Sequence, residues 1–296
     1  MTFFLLIGLT TGCDRPPELS LVRPPDPSAT GDAGTWGPHG VARATYKTQA
    51  RVSETVRFEA TWPALADGTL DPSSAPYPVV LLVQGGLVES VRYRWLADHL
   101  ASRGAVVLAP EYAFDLAILQ SDNASYVLDE ALDRARVPGD PLEGALAEGG
   151  PVVATGHSLG GVVASMTWVS DTRVDGVAVL ASYAATGTDV EAMAGSPSLL
   201  LTGALDQVPP EEFFSEWSRF PEPVWGGVVA GMNHYDWTDD PTPEELEGDG
   251  VSTRPAEESR RDALRVLDTW LDAIWRDDTG AAEALAAGDF PGVEPW

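Results

Sequence analysis

Ser158 stands in the run Gly156, His157, Ser158, Leu159, Gly160, Gly161, which gives a G-x-S-x-G spacing. A serine hydroxyl attacks a carbonyl at neutral pH only when a neighbouring base takes its proton. The spacing fits a serine held in a sharp, strained turn between a strand and a helix, where side chains two positions either side would collide. Glycine is therefore needed at Gly156 and Gly160. An apolar run, Pro151 to Ala154, precedes the turn, and an apolar segment of helical character, Val162 to Val169, follows it. Such a turn lifts the Ser158 hydroxyl above the sheet. It also places the Leu159 N–H at a helix N-terminus, where it can donate to an oxyanion. A glycine-rich turn with no chemistry would share these residues, so the partners must decide.

The base must be a histidine, and the chain has four. His39 lies in a proline-rich segment, His99 in the middle of a helix, and His157 inside the turn, where it is expected to point away from the serine. His234 alone follows the last strand, in a loop that can reach over Ser158. A carboxylate is needed to fix the base's tautomer and stabilise the imidazolium. Asp206 ends the strand before His234 and gives the chain order Ser158, Asp206, His234. Asp189 and Asp236 are its rivals. The second oxyanion donor is expected where the strand Val79 to Val83 runs into Gln84, Gly85, Gly86 and Leu87, from the N–H of Gly86 or of Leu87.

The elements that must position these groups alternate. Continuous apolar runs at Val79–Val83, Ala105–Ala109, Gly176–Ala181, Ser198–Thr202 and Val224–Ala230 read as strands buried on both faces. Val52 to Trp62 alternates and reads as an antiparallel edge strand. Amphipathic helices are expected at Glu89–Arg103, Asn123–Val137, Pro209–Phe220 and Pro255–Arg276. This pattern predicts an α/β fold with a doubly wound, mostly parallel sheet and no sizeable lid domain, whose ligands sit at the carboxyl ends of the strands. Gln84–Leu87, Ser158, Asp206 and His234 each follow such an end. Trp168, Phe213, Phe214, Trp217, Trp225 and Trp237 are candidates for an apolar pocket, of which one or two should touch substrate.

The 296 residues carry 45 Asp and Glu against 18 Lys and Arg, a formal charge of −27, and Lys47 is the only lysine. Nothing in that balance could neutralise a run of phosphates, so nucleic acid is excluded as a partner. No metal-ligand cluster is evident. Asp236, Asp239 and Asp240 read as a solvated acidic loop. Cys13 is the only cysteine, so no disulfide can form within the chain. It follows a short apolar run, too short to span a bilayer. Residues 1–12 are read as a lipoprotein-type signal with Cys13 as the lipidation site, 13–40 as a flexible tether, 41–280 as the folded domain and 281–296 as a loose tail. The expected location is export to a bacterial membrane surface through lipidated Cys13, with secretion as the alternative. A monomer is expected.

With these residues in view, the chain resembles the α/β-hydrolase superfamily. Within it, the chain is similar to the group holding chlorophyllase-like, platelet-activating-factor-acetylhydrolase-like and polyester-hydrolase or cutinase-like enzymes. The segments that carry the resemblance are GHSLGG, VVLLVQGGL, LLLTGALD and AGMNHYDW, within about Pro78 to Arg276. It implies hydrolysis of carboxylic esters, small-molecule or lipid-like, through a serine acyl-enzyme without a cofactor. On it, Ser158 is the nucleophile, Asp206 the acid and His234 the base. Polyester hydrolases of this kind usually carry an aromatic residue where Gly86 or Leu87 falls, often Met where Leu159 stands, and in many cases a C-terminal disulfide. Their absence here argues against bulky polyester. Amide hydrolysis and a non-catalytic, surface-anchored binding role are the alternatives.

Overall fold

A computed structural model describes residues 17–51, 54–209, 211–276 and 278–296. Cys13 and the signal segment 1–12 lie outside the described residues. Ten strands form one sheet: β1 (Ser20–Arg23), β2 (Gly40–Arg51), β3 (Glu54–Ala64), β4 (Val79–Val83), β5 (Val106–Pro110), β6 (Val152–His157), β7 (Gly176–Leu180), β8 (Ser198–Gly203), β9 (Val224–Val229) and β10 (Val293–Pro295). Their spatial order is β1-β2-β3-β5-β4-β6-β7-β8-β9-β10. The six strands from β5 to β9 are parallel, while β1, β2, β3 and β10 pair antiparallel at the two margins.

Among the described residues the α-helices are α1 (Arg94–Ser102), α2 (Asn123–Arg134), α3 (Leu159–Ser170), α4 (Pro243–Glu247), α5 (Ala256–Trp275) and α6 (Thr279–Ala287). In β4, Val79 and Leu81 face the layer holding Val127 and Leu128 of α2 and Trp168 of α3. Val80 and Leu82 face Leu96 and Leu100 of α1 and Leu264 and Leu267 of α5. Because both faces are covered, the parallel strands are largely apolar on both sides rather than at alternate positions.

The margins differ from the sequence reading. The expected edge strand, β3, is an interior strand, because β2 covers it along eleven residue pairs and β1 covers β2. The buried residues of β2 are mostly alanines with Tyr46, a weak apolar signal. The described part of the segment read as a tether, residues 17–40, is docked against the domain: Gly34 N–H donates to the Asp268 carboxylate (2.7 Å) and Gly37 N–H to Ser102 Oγ (2.9 Å). His39, in the proline-rich segment, bonds the Asp71 carboxylate at 2.9 Å. The tail is also structured, with α6 packing on α5 and β10 extending the sheet beside β9. The 209–220 segment is a 3-10 helix, Glu211–Arg219, rather than an α-helix. The side chains of Phe213 and Phe214 lie outside the described residues.

Candidate active site

Ser158 takes φ 54° and ψ −128°, a left-handed conformation costly for a residue with a Cβ, between the end of β6 and the first residue of α3. The main chain holds it there. Ser158 N–H donates to the Leu180 carbonyl (2.9 Å), and its carbonyl accepts from Gly161 N–H (2.9 Å) and Ser182 Oγ (2.5 Å). The flanking glycines are packed against main chain. A Cβ on Gly156 would overlap the Gly160 carbonyl. One on Gly160 would overlap the Val83 carbonyl and lie 2.5 Å from that of Gln84. Gly160 is therefore where β6–α3 and the end of β4 come into direct contact.

Asp206 and His234 are brought together. His234 Nδ1 is 3.0 Å from both Asp206 carboxylate oxygens, and both side chains are buried. Asp206 also accepts from Thr202 Oγ1 and from Val208 N–H, both at 3.2 Å. With Nδ1 bonded to a carboxylate, that nitrogen carries a proton and Nε2 is left as the basic one. The rivals are placed elsewhere. Asp236 accepts from Asn233 N–H (3.0 Å) and Ser252 Oγ (2.6 Å). Asp189 precedes the 3-10 turn Val190–Met193 and its side chain makes no capping hydrogen bond there.

His157 has a contact that the sequence reading did not foresee. Its ring packs on that of His234, with centroids 4.4 Å apart. Burial, and then the neighbouring His234, hold its pKa well below the ordinary imidazole range, so it stays neutral. His234 thus rests on the residue immediately before Ser158.

Gly86 lies against the Leu159 side chain; a Cβ there would be 3.0 Å from Leu159 Cδ2. Leu159 is the first residue of α3, where a main-chain N–H has no acceptor within the helix. The neighbouring Leu87 N–H is already engaged, donating to the Asp115 carbonyl at 2.7 Å. Of the two expected second donors, this leaves Gly86 for an oxyanion.

A cavity of about 280 Å³ opens beside Ser158, walled by Leu159, Val162, Ala181, Tyr183, Val208 and Pro209. The expected tryptophans do not line it. Trp168 and Trp237 are core residues, and Trp225 lines a separate cavity beside Trp296. Trp217 acts from behind, its indole N–H donating to the Ser182 carbonyl (2.8 Å). A larger cavity, about 640 Å³, lies at the amino ends of the strands beside Val79 and Val152, and no histidine lines it.

Three groups that the sequence reading missed hold the histidine loop. Arg260 donates to the carbonyls of Asp236 and Thr238 (2.6 Å each). Arg92 donates to the Asp239 carbonyl (2.7 Å) and forms a two-pronged pair with Glu245. Asp249 accepts from Gln207 N–H (3.1 Å) and Tyr235 N–H (3.2 Å), tying the Asp206 loop to the His234 loop. None is marked by a local motif, since each contact spans 14 residues or more. The acidic loop is thus clamped by arginines, and no cluster of three metal-ligating side chains occurs among the described residues.

A serine on a strained strand-to-helix turn, a carboxylate-anchored histidine packed on the residue before it, and a sheet with six parallel strands define the α/β-hydrolase architecture. Residues 79–260 match the model of an alpha/beta hydrolase family, which is more than half of the chain, and the chain belongs to that family. A comparison with curated proteins finds no match.

Proposed function

We propose that this hydrolase cleaves carboxylic esters through an acyl-enzyme on Ser158. The observation that carries the reading is the buried His234–Asp206 pair, at 3.0 Å to both oxygens, packed on the residue before a strained Ser158. His234 Nε2 takes the Ser158 proton as Oγ attacks the carbonyl carbon. Asp206 holds the imidazolium that forms. The N–H groups of Leu159 and Gly86 receive the oxyanion. His234 then protonates the leaving alcohol, and water repeats the cycle on the acyl-enzyme.

The cavity beside Ser158 supports a short acyl group, being near the lower end of the roughly 300–1,000 Å³ range of ligand pockets. A cavity of this size favours small esters over bulky polyester as the substrate class of this proposal. The resemblance to the chlorophyllase-like and acetylhydrolase-like group, and export with lipidation at Cys13, belong to the same proposal. Hydrolysis of p-nitrophenyl esters from acetate to palmitate, with Ser158→Ala alongside, tests it. A maximum at short chains that vanishes in the variant is expected. A wild-type protein inert to every ester but active on the matching anilides would replace esterase with amidase.

A further inference from the structure

Tyr93 comes from the 3-10 turn Ser90–Tyr93 ahead of α1, the same turn that supplies Arg92 to the histidine loop. Its ring is buried, yet its hydroxyl is not idle. It accepts from Gly85 N–H at 3.0 Å and lies 2.9 Å from His157 Nδ1. Gly85 precedes the oxyanion donor Gly86, and a Cβ at Gly85 would stand 2.7 Å from the Tyr93 oxygen and 3.1 Å from His157 Nδ1. Three segments therefore converge on one oxygen: the loop after β4, the turn bearing Ser158, and, through the His157 ring, His234.

One set of hydrogen-bond roles satisfies both contacts of the Tyr93 hydroxyl. The Gly85 amide can only donate, so the Tyr93 oxygen is the acceptor there, and its own proton is available for His157 Nδ1. His157 then carries its proton on Nε2. That nitrogen is buried without a partner of hydrogen-bonding geometry, and the His234 main chain favours a proton on the ring.

Resting on the serine-hydrolase reading, we infer that the Tyr93 hydroxyl is a positioning group: it sets the spacing of the Gly86 and Leu159 donors and, through His157, the seat of His234. It touches no substrate. Tyr93→Phe keeps the ring and orphans two buried polar groups, Gly85 N–H and His157 Nδ1. Their relaxation moves the donor loop relative to the serine turn.

The test is Tyr93→Phe, measured for kcat, KM, affinity for phenylboronic acid (a tetrahedral mimic bonded to Ser158) and rate of labelling by a fluorophosphonate. The expected result is a kcat lowered roughly 10–100-fold, below the effect of deleting a whole oxyanion donor. KM should stay within about twofold, and boronate affinity and labelling rate should fall with kcat. His157→Gln should give a similar loss, and the double variant should be no worse than the weaker single one, because both break one relay. A kcat and boronate affinity within twofold of wild type would overturn the inference. So would a loss explained by unfolding alone, in which activity tracks the folded fraction while boronate affinity of the folded protein is unchanged. A wild-type protein inert to ester, boronate and fluorophosphonate alike would bring down the hydrolase reading and this inference with it; normal reactivity in Tyr93→Phe would bring down the inference alone.

Discussion

Gly160→Ala should separate the two halves of the proposed oxyanion site without touching any reacting side chain. The new Cβ would overlap the Val83 carbonyl oxygen and lie 2.5 Å from the Gln84 carbonyl oxygen, both main-chain atoms that no rotamer change can clear. The end of β4 must therefore retreat from the first turn of α3 by roughly 0.5–1 Å, in an interior packed too densely to absorb it elsewhere. That displacement acts on the gap between Gly86 and Leu159. A misplacement of about 1 Å at a reacting centre costs on the order of 10²-fold in rate. Overpacking of this kind costs about 1–3 kcal/mol, which for a domain of this size lowers Tm by several degrees. The assay is ester turnover and fluorophosphonate labelling at a temperature where the variant stays folded, with the melting curve recorded beside it. A variant within twofold of wild type in rate would refute the reasoning, because it would mean that the spacing of β4 and α3 does not set the oxyanion donors.

Three further outcomes are expected. His157 is buried and its pKa is held well below 6.5, so the unfolded chain binds a proton there that the folded chain refuses. Stability should therefore be fully present above pH 6.5 and fall as pH drops below it, by about 1 kcal/mol between pH 7 and 5.5, and denaturant titrations of wild type against His157→Gln should show that slope only in wild type. Phe114 has φ 57° and is 82% exposed, so its conformation is costly and its side chain buries little. Phe114→Asn, which tolerates that conformation, should raise stability by about 0.5–1 kcal/mol; an unchanged or lower denaturation midpoint would count against the strain. Asp249→Ala removes the carboxylate that joins the Gln207 and Tyr235 amides, and should lower kcat while leaving the Ser158 turn intact, read as slower labelling with an unchanged melting cooperativity.

The strand-to-helix turn and the order of serine, aspartate and histidine were legible because each residue sits where an apolar run stops. A strand buried on both faces writes itself into the sequence as an unbroken apolar stretch, and the residue after it is fixed at the sheet's carboxyl edge. What was not legible depends on contacts far apart in the chain. Tyr93 meets His157 across 64 residues, and Arg260 meets the Asp236 carbonyl across 24. The packing of His157 on His234 was not legible, because a residue's position inside a turn does not say which distant ring it meets. The strands β1 and β2 and the tail strand β10 were missed for a different reason. They are short or rich in small residues, and gain their order from pairing with neighbours rather than from their own pattern.

Reaction of the intact protein with a fluorophosphonate, located by peptide mass and followed over time, tests the central claim most directly, because only a serine activated by a base and an oxyanion site reacts quickly. The account predicts one label per chain, on Ser158, absent in Ser158→Ala and slowed on the order of 10³–10⁴-fold in Asp206→Asn, where His234 loses the carboxylate that fixes its tautomer. A wild-type protein that takes up no label, or one labelled equally well after Ser158→Ala, would contradict it.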